Sequence, residues 1–237
     1  MKYLKTAVIL AGGKGTRLRP YTIAIPKPLV PISDRPILEL IIIKLARCGF
    51  DRIIITVNHQ ADIIMAYFGD GSKLGVKIEY SLESKPLGTM GPLKLIKDLP
   101  DYFLVMNGDV LSDIDYGAFL DKHIESKYDF TISCYKRIDK IDYGVLHIGS
   151  GEYPVLEGFE EKPLIEHRVS MGIYAASKSI LSYIPMNEFY GLDNLIYDML
   201  DKKNIGVLEH NGYWMDIGRP DDYQQACDDY IEGRISL

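Results

Sequence analysis

Nowhere in its 237 residues does the chain hold an apolar run approaching the roughly 20 residues of a membrane span. Cysteine is scarce: Cys48, Cys134 and Cys227 are odd in number, widely spaced and in no C-x-x-C arrangement. That argues against a disulfide framework and a structural zinc site, and implies a reducing, cytoplasmic setting. The start, Met1-Lys2-Tyr3-Leu4-Lys5, is basic, but the apolar run after it is too short for a signal h-region and meets Lys14 and Arg17. Positive charge is in deficit, with 27 Lys and Arg against 33 Asp and Glu and a net charge of −6, so a nucleic-acid-binding surface is not expected. No internal repeat, low-complexity tract or long linker appears.

Two familiar phosphate motifs are also missing. No Lys-Ser or Lys-Thr pair follows the N-terminal glycines, which excludes a P-loop, and Leu18 stands where a dinucleotide fingerprint needs its third glycine. What is present is Gly12-Gly13-Lys14-Gly15-Thr16-Arg17-Leu18-Arg19-Pro20, directly after the apolar run Thr6 to Leu10. Glycines let the backbone approach a ligand closely, and successive N–H groups in such a turn make an anion-binding nest. Arg17 and Arg19 add charge that stands out against an acidic average. Downstream, Pro26-Lys27-Pro28 holds Lys27 between two prolines, which fix its backbone and argue against a helix there.

Apolar runs alternate with helix-period segments. Residues 6–10, 52–58, 77–80, 102–106 and 130–135 read as strands, and 36–48, 60–68, 90–98 and 116–127 as helices between them. Pro36 opens the first helix and Gly49 closes it. This βαβα order predicts an α/β, three-layer, Rossmann-like domain with a mostly parallel central sheet and ligands at the carboxyl ends of its strands. Beyond Tyr143 the pattern turns to short strands broken by Gly and Pro, then helices near 178–183, 192–200 and 220–231. With 47% apolar residues the chain can bury a full core as one domain over 1–237, whose pattern changes near residue 140.

Taken together, Gly12-Gly13-x-Gly15-Thr16-Arg17-Leu18-x-Pro20 and Pro26-Lys27-Pro28 resemble the signature of the sugar-1-phosphate nucleotidyltransferases, also called sugar-nucleotide pyrophosphorylases. The resemblance continues through Lys85-Pro86-Leu87-Gly88-Thr89, Asn107-Gly108-Asp109, Tyr143-Gly144-Val145, Glu160-Glu161-Lys162-Pro163, Gly172-Ile173-Tyr174 and Trp214-Met215-Asp216-Ile217-Gly218. Within the family, Pro86 to Leu93 and Asp216-Ile217-Gly218-Arg219-Pro220 look most like the GDP-mannose pyrophosphorylase and heptose-1-phosphate guanylyltransferase branch. It implies a glycosyltransferase-A-like nucleotidyltransferase core, with roughly 1–140 as its nucleotide-binding half and 141–237 as its sugar-binding half. It also implies a role in nucleotide-sugar and polysaccharide biosynthesis. The left-handed β-helix that follows the catalytic domain in many relatives is not expected here, and a homo-oligomer stays open.

The resemblance implies transfer of a nucleotidyl group from an NTP to a sugar 1-phosphate, a meeting of two anions in which positioning and electrostatics dominate. It makes Arg17, Lys27 and Asp109 catalytic. It assigns Leu10, Ala11, Gly12, Gly13, Gly15, Thr16, Glu83, Gly88, Thr89 and Asn107 to the nucleotide, and Gly144, Glu161, Lys162 and Gly172 to the sugar phosphate. Asp109 and Asp216 become the holders of Mg²⁺, which takes one or two carboxylates and completes its shell with phosphate and water. None of the five histidines offers a general base, and an acceptor phosphate with a second pKa near about 6 needs none.

Glu83 falls where relatives set a polar side chain against the base edge. A carboxylate accepts hydrogen bonds and donates none, which suits guanine's adjacent N1–H and amine and favours GTP, with UTP or dTTP as rivals. The sugar is a mannose-like hexose or a heptose, left open because Ser170-Met171-Gly172 replaces the Asn-Ala-Gly of many relatives. A catalytically silent regulatory subunit of the same fold would have lost charged groups that are present here.

Overall fold

The computed structural model describes residues 4–58 and 60–235. The first three residues of the basic start, and His59 among the histidines, lie outside them. The chain runs through β1 (Lys5–Leu10), a two-residue hairpin β2 (Pro31–Ile32) and β3 (Arg35–Pro36), α1 (Ile37–Arg47), β4 (Phe50–Val57), α2 (Ala61–Phe68), β5 (Lys77–Leu82), β6 (Tyr102–Asn107), β7 (Val110–Ser112) and α3 (Tyr116–Ser126). It continues through β8 (Phe130–Lys140), β9 (Gly144–Ile148), β10 (Leu156–Glu161), β11 (Leu164–Ser177), α4 (Leu192–Leu200), β12 (Ile205–His210), β13 (Trp214–Asp216) and α5 (Pro220–Ile231).

Seven strands form one sheet in the order β12-β8-β11-β6-β1-β4-β5. β5, β4, β1 and β6 run parallel, as do β8 and β12, and β11 is antiparallel to both its neighbours. The two faces alternate with the strand period of two. Ala7, Ile9, Ile53, Ile55, Leu104 and Met106 join one apolar cluster with α1, α2, α3 and α5. Val8, Ile54, Phe103 and Val105 join a second with Ile180 and with Leu195 and Met199 of α4. The three-layer α/β architecture read from the sequence is therefore present.

Local chemistry sets the helix ends. Pro36 precedes the first turn of α1, and Gly49, at φ +85°, follows its last, its N–H donating to the Ala46 carbonyl (3.0 Å). The Asp115 carboxylate accepts from the Ala118 N–H (2.9 Å) and caps α3.

Four expectations need correction. Residues 90–98 form a short 3₁₀ turn, Gly91–Leu95, in place of an α-helix: the Leu93 and Ile96 N–H groups bond three residues back, to the Met90 (3.1 Å) and Leu93 (3.3 Å) carbonyls, and the chain turns extended at Ile96, while the Met90 and Gly91 N–H groups at its entry go to the Tyr190 carbonyl (3.0 Å each). The segment near 178–183 is likewise 3₁₀, over Lys178–Ser182. Lys27–Leu29 makes one 3₁₀ turn despite its prolines, because that turn needs only the Leu29 and Val30 N–H groups, which donate to the Pro26 (2.8 Å) and Lys27 (3.1 Å) carbonyls. The second half is not made of short strands alone, since β11 extends over 14 residues.

Candidate active site

At the carboxyl ends of β1, β4 and β6 lies a cavity of about 330 Å³. Leu10 ends β1 on its wall, Gly12 and Gly13 form its floor, and the intervening Ala11 is buried, its N–H tied to the Thr56 carbonyl (3.0 Å). A Cβ on Gly12 would stand 2.7 Å from Oε1 of Glu83, so glycine there allows the carboxylate to close over the loop. Oε2 of Glu83 accepts from the Leu87 N–H (3.2 Å), and burial pushes the Glu83 carboxyl above its ordinary range.

The opposite wall carries Gly88, Thr89, Asn107 and Asp109. Gly88 sits at φ +79°, where a Cβ would meet the Tyr190 carbonyl at 2.8 Å. Its loop is clamped from both sides, since the Tyr190 N–H donates to the Leu87 carbonyl (2.8 Å) while the Tyr190 carbonyl accepts from Met90 and Gly91. Gly172 comes up against the Asn107 side-chain amide, at the edge of this cavity.

The glycine loop then folds back. Thr22 Oγ1 donates to the Gly15 carbonyl (2.7 Å), and Thr16–Leu18 forms a 3₁₀ turn that buries Leu18 and leaves Arg17 exposed. The Lys27 ammonium bonds Oδ2 of Asp109, and Oδ1 of that carboxylate is buried without a hydrogen-bond partner among the described residues. β13 pairs antiparallel with β7, placing Asp216 opposite Val110, and the Ile217 N–H donates to the Asp109 carbonyl (3.0 Å). Asp216 is in consequence the last residue of that strand. Burial above all, then the Asp109 charge, pushes the Asp216 carboxyl up from its ordinary value, while Lys27 and Arg17 oppose the rise.

Asp216 and Arg17 line a second cavity, of about 470 Å³, so the two aspartates stand at the seam between the cavities. Among the described residues no three His, Cys, Asp or Glu side chains gather in a way that could hold a metal. A caged zinc is therefore a poor fit. A two-carboxylate Mg²⁺ site fits, and the orphaned Oδ1 of Asp109 is an acceptor that such an ion would satisfy.

Gly144, Glu161 and Lys162 gather elsewhere, on the β9–β10 hairpin. The Lys162 N–H donates to the Tyr143 carbonyl (3.3 Å), and a Cβ on Gly144 would lie 3.2 Å from the Glu161 carboxylate. The two motifs thus meet each other, but none of the three residues lines either cavity. Arg17 and Lys27 come together around the aspartates as expected; Lys162 sits on a separate two-stranded sheet.

A family model described as nucleotidyl transferase matches residues 6–233. The chain belongs to the nucleotidyl transferase family. It is 33% identical over 235 residues to a mannose-1-phosphate guanylyltransferase of Mycobacterium tuberculosis, covering 96% of this chain and 65% of the relative. It is 35% identical over 241 residues to a UTP–glucose-1-phosphate uridylyltransferase of Synechocystis, covering 93% and 62%. The chain thus spans a little under two thirds of the length of these curated relatives. Among solved structures, HddC from Yersinia pseudotuberculosis, also crystallised in complex with GMP-PN, superposes with a TM-score of 0.73 at 31% identity, covering 95% of this chain and 99% of HddC.

This nucleotidyl transferase has lining residues that sequence reasoning missed. Thr56, Leu87 and Phe189 line the first cavity, and Tyr135, Arg137, Trp214, Arg219 and Asp222 the second. Thr56 had a usable signal, as the end of a strand beside the glycine loop. The others depend on pairings far apart in sequence, and both cavities draw on both halves of the chain.

Proposed function

We propose that the chain transfers a guanylyl group from GTP to a sugar 1-phosphate, a mannose-like hexose or a heptose, and releases pyrophosphate. The observation that carries this reading is the pair Asp109 and Asp216, flanked by Lys27 and Arg17, between one cavity floored by glycines and a second beyond it. The name of the mycobacterial relative supports the base, and that of the Synechocystis relative makes UTP the rival.

In this reading the triphosphate lies along Gly12 and Gly13, and Glu83 accepts from guanine N1–H and the exocyclic amine while keeping its bond to Leu87. An oxygen of the acceptor phosphate attacks the α-phosphorus. The bond to the bridging oxygen breaks on the opposite side, and its electron pair leaves with pyrophosphate. Arg17 forms no ion pair among the described residues, so its guanidinium is available to the charge that builds on the α-phosphoryl oxygens. Lys27, anchored by Asp109, neutralises phosphate beside it. Mg²⁺, held by Asp109 and Asp216, would supply further neutralisation and align the two phosphates. Lys162, Glu161 and Gly144 line neither cavity and are given no part in this step.

The test is a screen of GTP, UTP, dTTP, CTP and ATP against a panel of sugar 1-phosphates with Mg²⁺, read as pyrophosphate release. GTP is expected to give the highest kcat/KM. A clear UTP or dTTP preference defeats the base assignment, and no release with any pair defeats the activity.

A further inference from the structure

Three arginines line the second cavity, against two carboxylates. Arg17 occupies its inner end: a Cβ on Gly218 would lie 3.8 Å from its Nη1 and 3.7 Å from Oδ2 of Asp216. Two further arginines reach the same cavity from separate elements, Arg137 from the outer half of β8 and Arg219 immediately before α5. The carboxylates that face them are Asp216 and Asp222, and one oxygen of Asp222 is already tied to the Arg219 N–H (2.9 Å).

Arg137 is ion-paired with Asp139, but the terminal nitrogens of neither outer arginine are taken among the described residues. The Arg137 Nε donates to Oδ1 of Asp139 (2.8 Å), which sets the plane of the guanidinium and leaves the fork of its terminal nitrogens without a bond among the described residues. The Arg219 guanidinium makes no ion pair among the described residues. A planar two-pronged donor matches a carboxylate or phosphate in a way that a sugar hydroxyl does not. In a chain of net charge −6, three arginines converging on one cavity depart from the average surface.

We infer that the acceptor carries a second anionic group, a carboxylate or a further phosphate, remote from the phosphate that attacks, and that Arg137 and Arg219 receive it. This rests on the acceptor being a sugar phosphate, as proposed above.

The experiment compares three acceptors with GTP and Mg²⁺: a hexose 1-phosphate, the matching hexuronic acid 1-phosphate and the matching hexose 1,6-bisphosphate. Each is measured with the parent chain, Arg137→Gln, Arg137→Lys and Arg219→Gln, after thermal unfolding has checked that each variant is folded. The parent is expected to favour one of the doubly anionic acceptors by roughly ten-fold or more in kcat/KM. The glutamine variants are expected to collapse that ratio, with partial recovery in Arg137→Lys. Which acceptor is favoured tells carboxylate from phosphate. No preference in the parent, or an equal loss for all three acceptors in the variants, overturns the inference and returns these arginines to the reacting phosphate. Silence with every acceptor sinks the proposed activity instead. Calorimetric binding of the same acceptors then decides the inference: a tighter doubly anionic acceptor whose margin needs Arg137 and Arg219 supports it, and equal affinities overturn it.

Discussion

Oδ2 of Asp109 accepts from the Lys27 ammonium, and the other oxygen of the same carboxylate is buried with no protein partner among the described residues. One oxygen is thus committed to a fixed cation and one is open. Asp109→Asn keeps the shape and removes the charge. It is expected to lower kcat by a hundred-fold or more and to abolish stimulation by Mg²⁺, with little change in unfolding temperature. Lys27→Met leaves the half-buried carboxylate unpaired and should cost about 1–3 kcal/mol in urea unfolding as well as activity. Full activity in Asp109→Asn would remove the metal assignment.

Gly88 is predicted to tolerate no side chain. Gly88→Ala forces a Cβ toward the Tyr190 carbonyl in left-handed backbone, and a loss of about 2 kcal/mol or more in stability is expected. The KM for nucleotide should rise with it, because Thr89 and Leu87 move with the loop.

Glu83 sets the base preference in the proposed reaction. Glu83→Gln turns one acceptor into a donor facing guanine's two donors, so the GTP-to-UTP ratio of kcat/KM should fall by about a hundred-fold or more. An unchanged ratio would place base selection elsewhere.

His123, buried in α3 with Nδ1 bonded to Thr131 Oγ1 (2.7 Å), predicts a pH dependence of stability. Burial holds its pKa down to about 4, with the Asp129 charge opposing, against an ordinary 6.5. Between those values the unfolded chain binds a proton that the folded chain refuses. Its contribution is therefore full above about pH 6.5 and is lost as pH falls towards about 4, on the order of 3 kcal/mol in all. Urea midpoints at pH 7 and pH 4.5 should converge in His123→Gln and diverge in the parent. Glu79, held near 2 by Arg52 and Lys77, adds its own loss only below about 4.5, so the two windows separate.

The parallel strands and the helices α1, α2, α3, α4 and α5 were legible because each carries its own periodicity and end signals. The glycine loop, Lys27 and both aspartates were legible as motifs. What the sequence hid is what depends on distant partners. The entry to the Gly91–Leu95 turn is pinned by the carbonyl of distant Tyr190, and the chain turns extended at Ile96. Asp216 joins a strand because β7 supplies a partner. Arg219 stands inside a recognised motif without a role of its own and Arg137 in none, and only the sheet order brings both to one cavity. Lys162, which the resemblance assigns to the sugar phosphate, lines neither cavity, because the strand pairing of its hairpin is local.

β11 lies antiparallel between β6 and β8, and its outer half leaves β6 behind to continue with β8 alone. Arg137 rides on that free ribbon and Tyr135 sits at its base, where β8 still pairs with His210 of β12, whereas Gly172, at the point where β11 enters the sheet, abuts Asn107 of the first cavity. The ribbon can consequently be lengthened, tilted or re-decorated without disturbing the strands that frame the glycine loop.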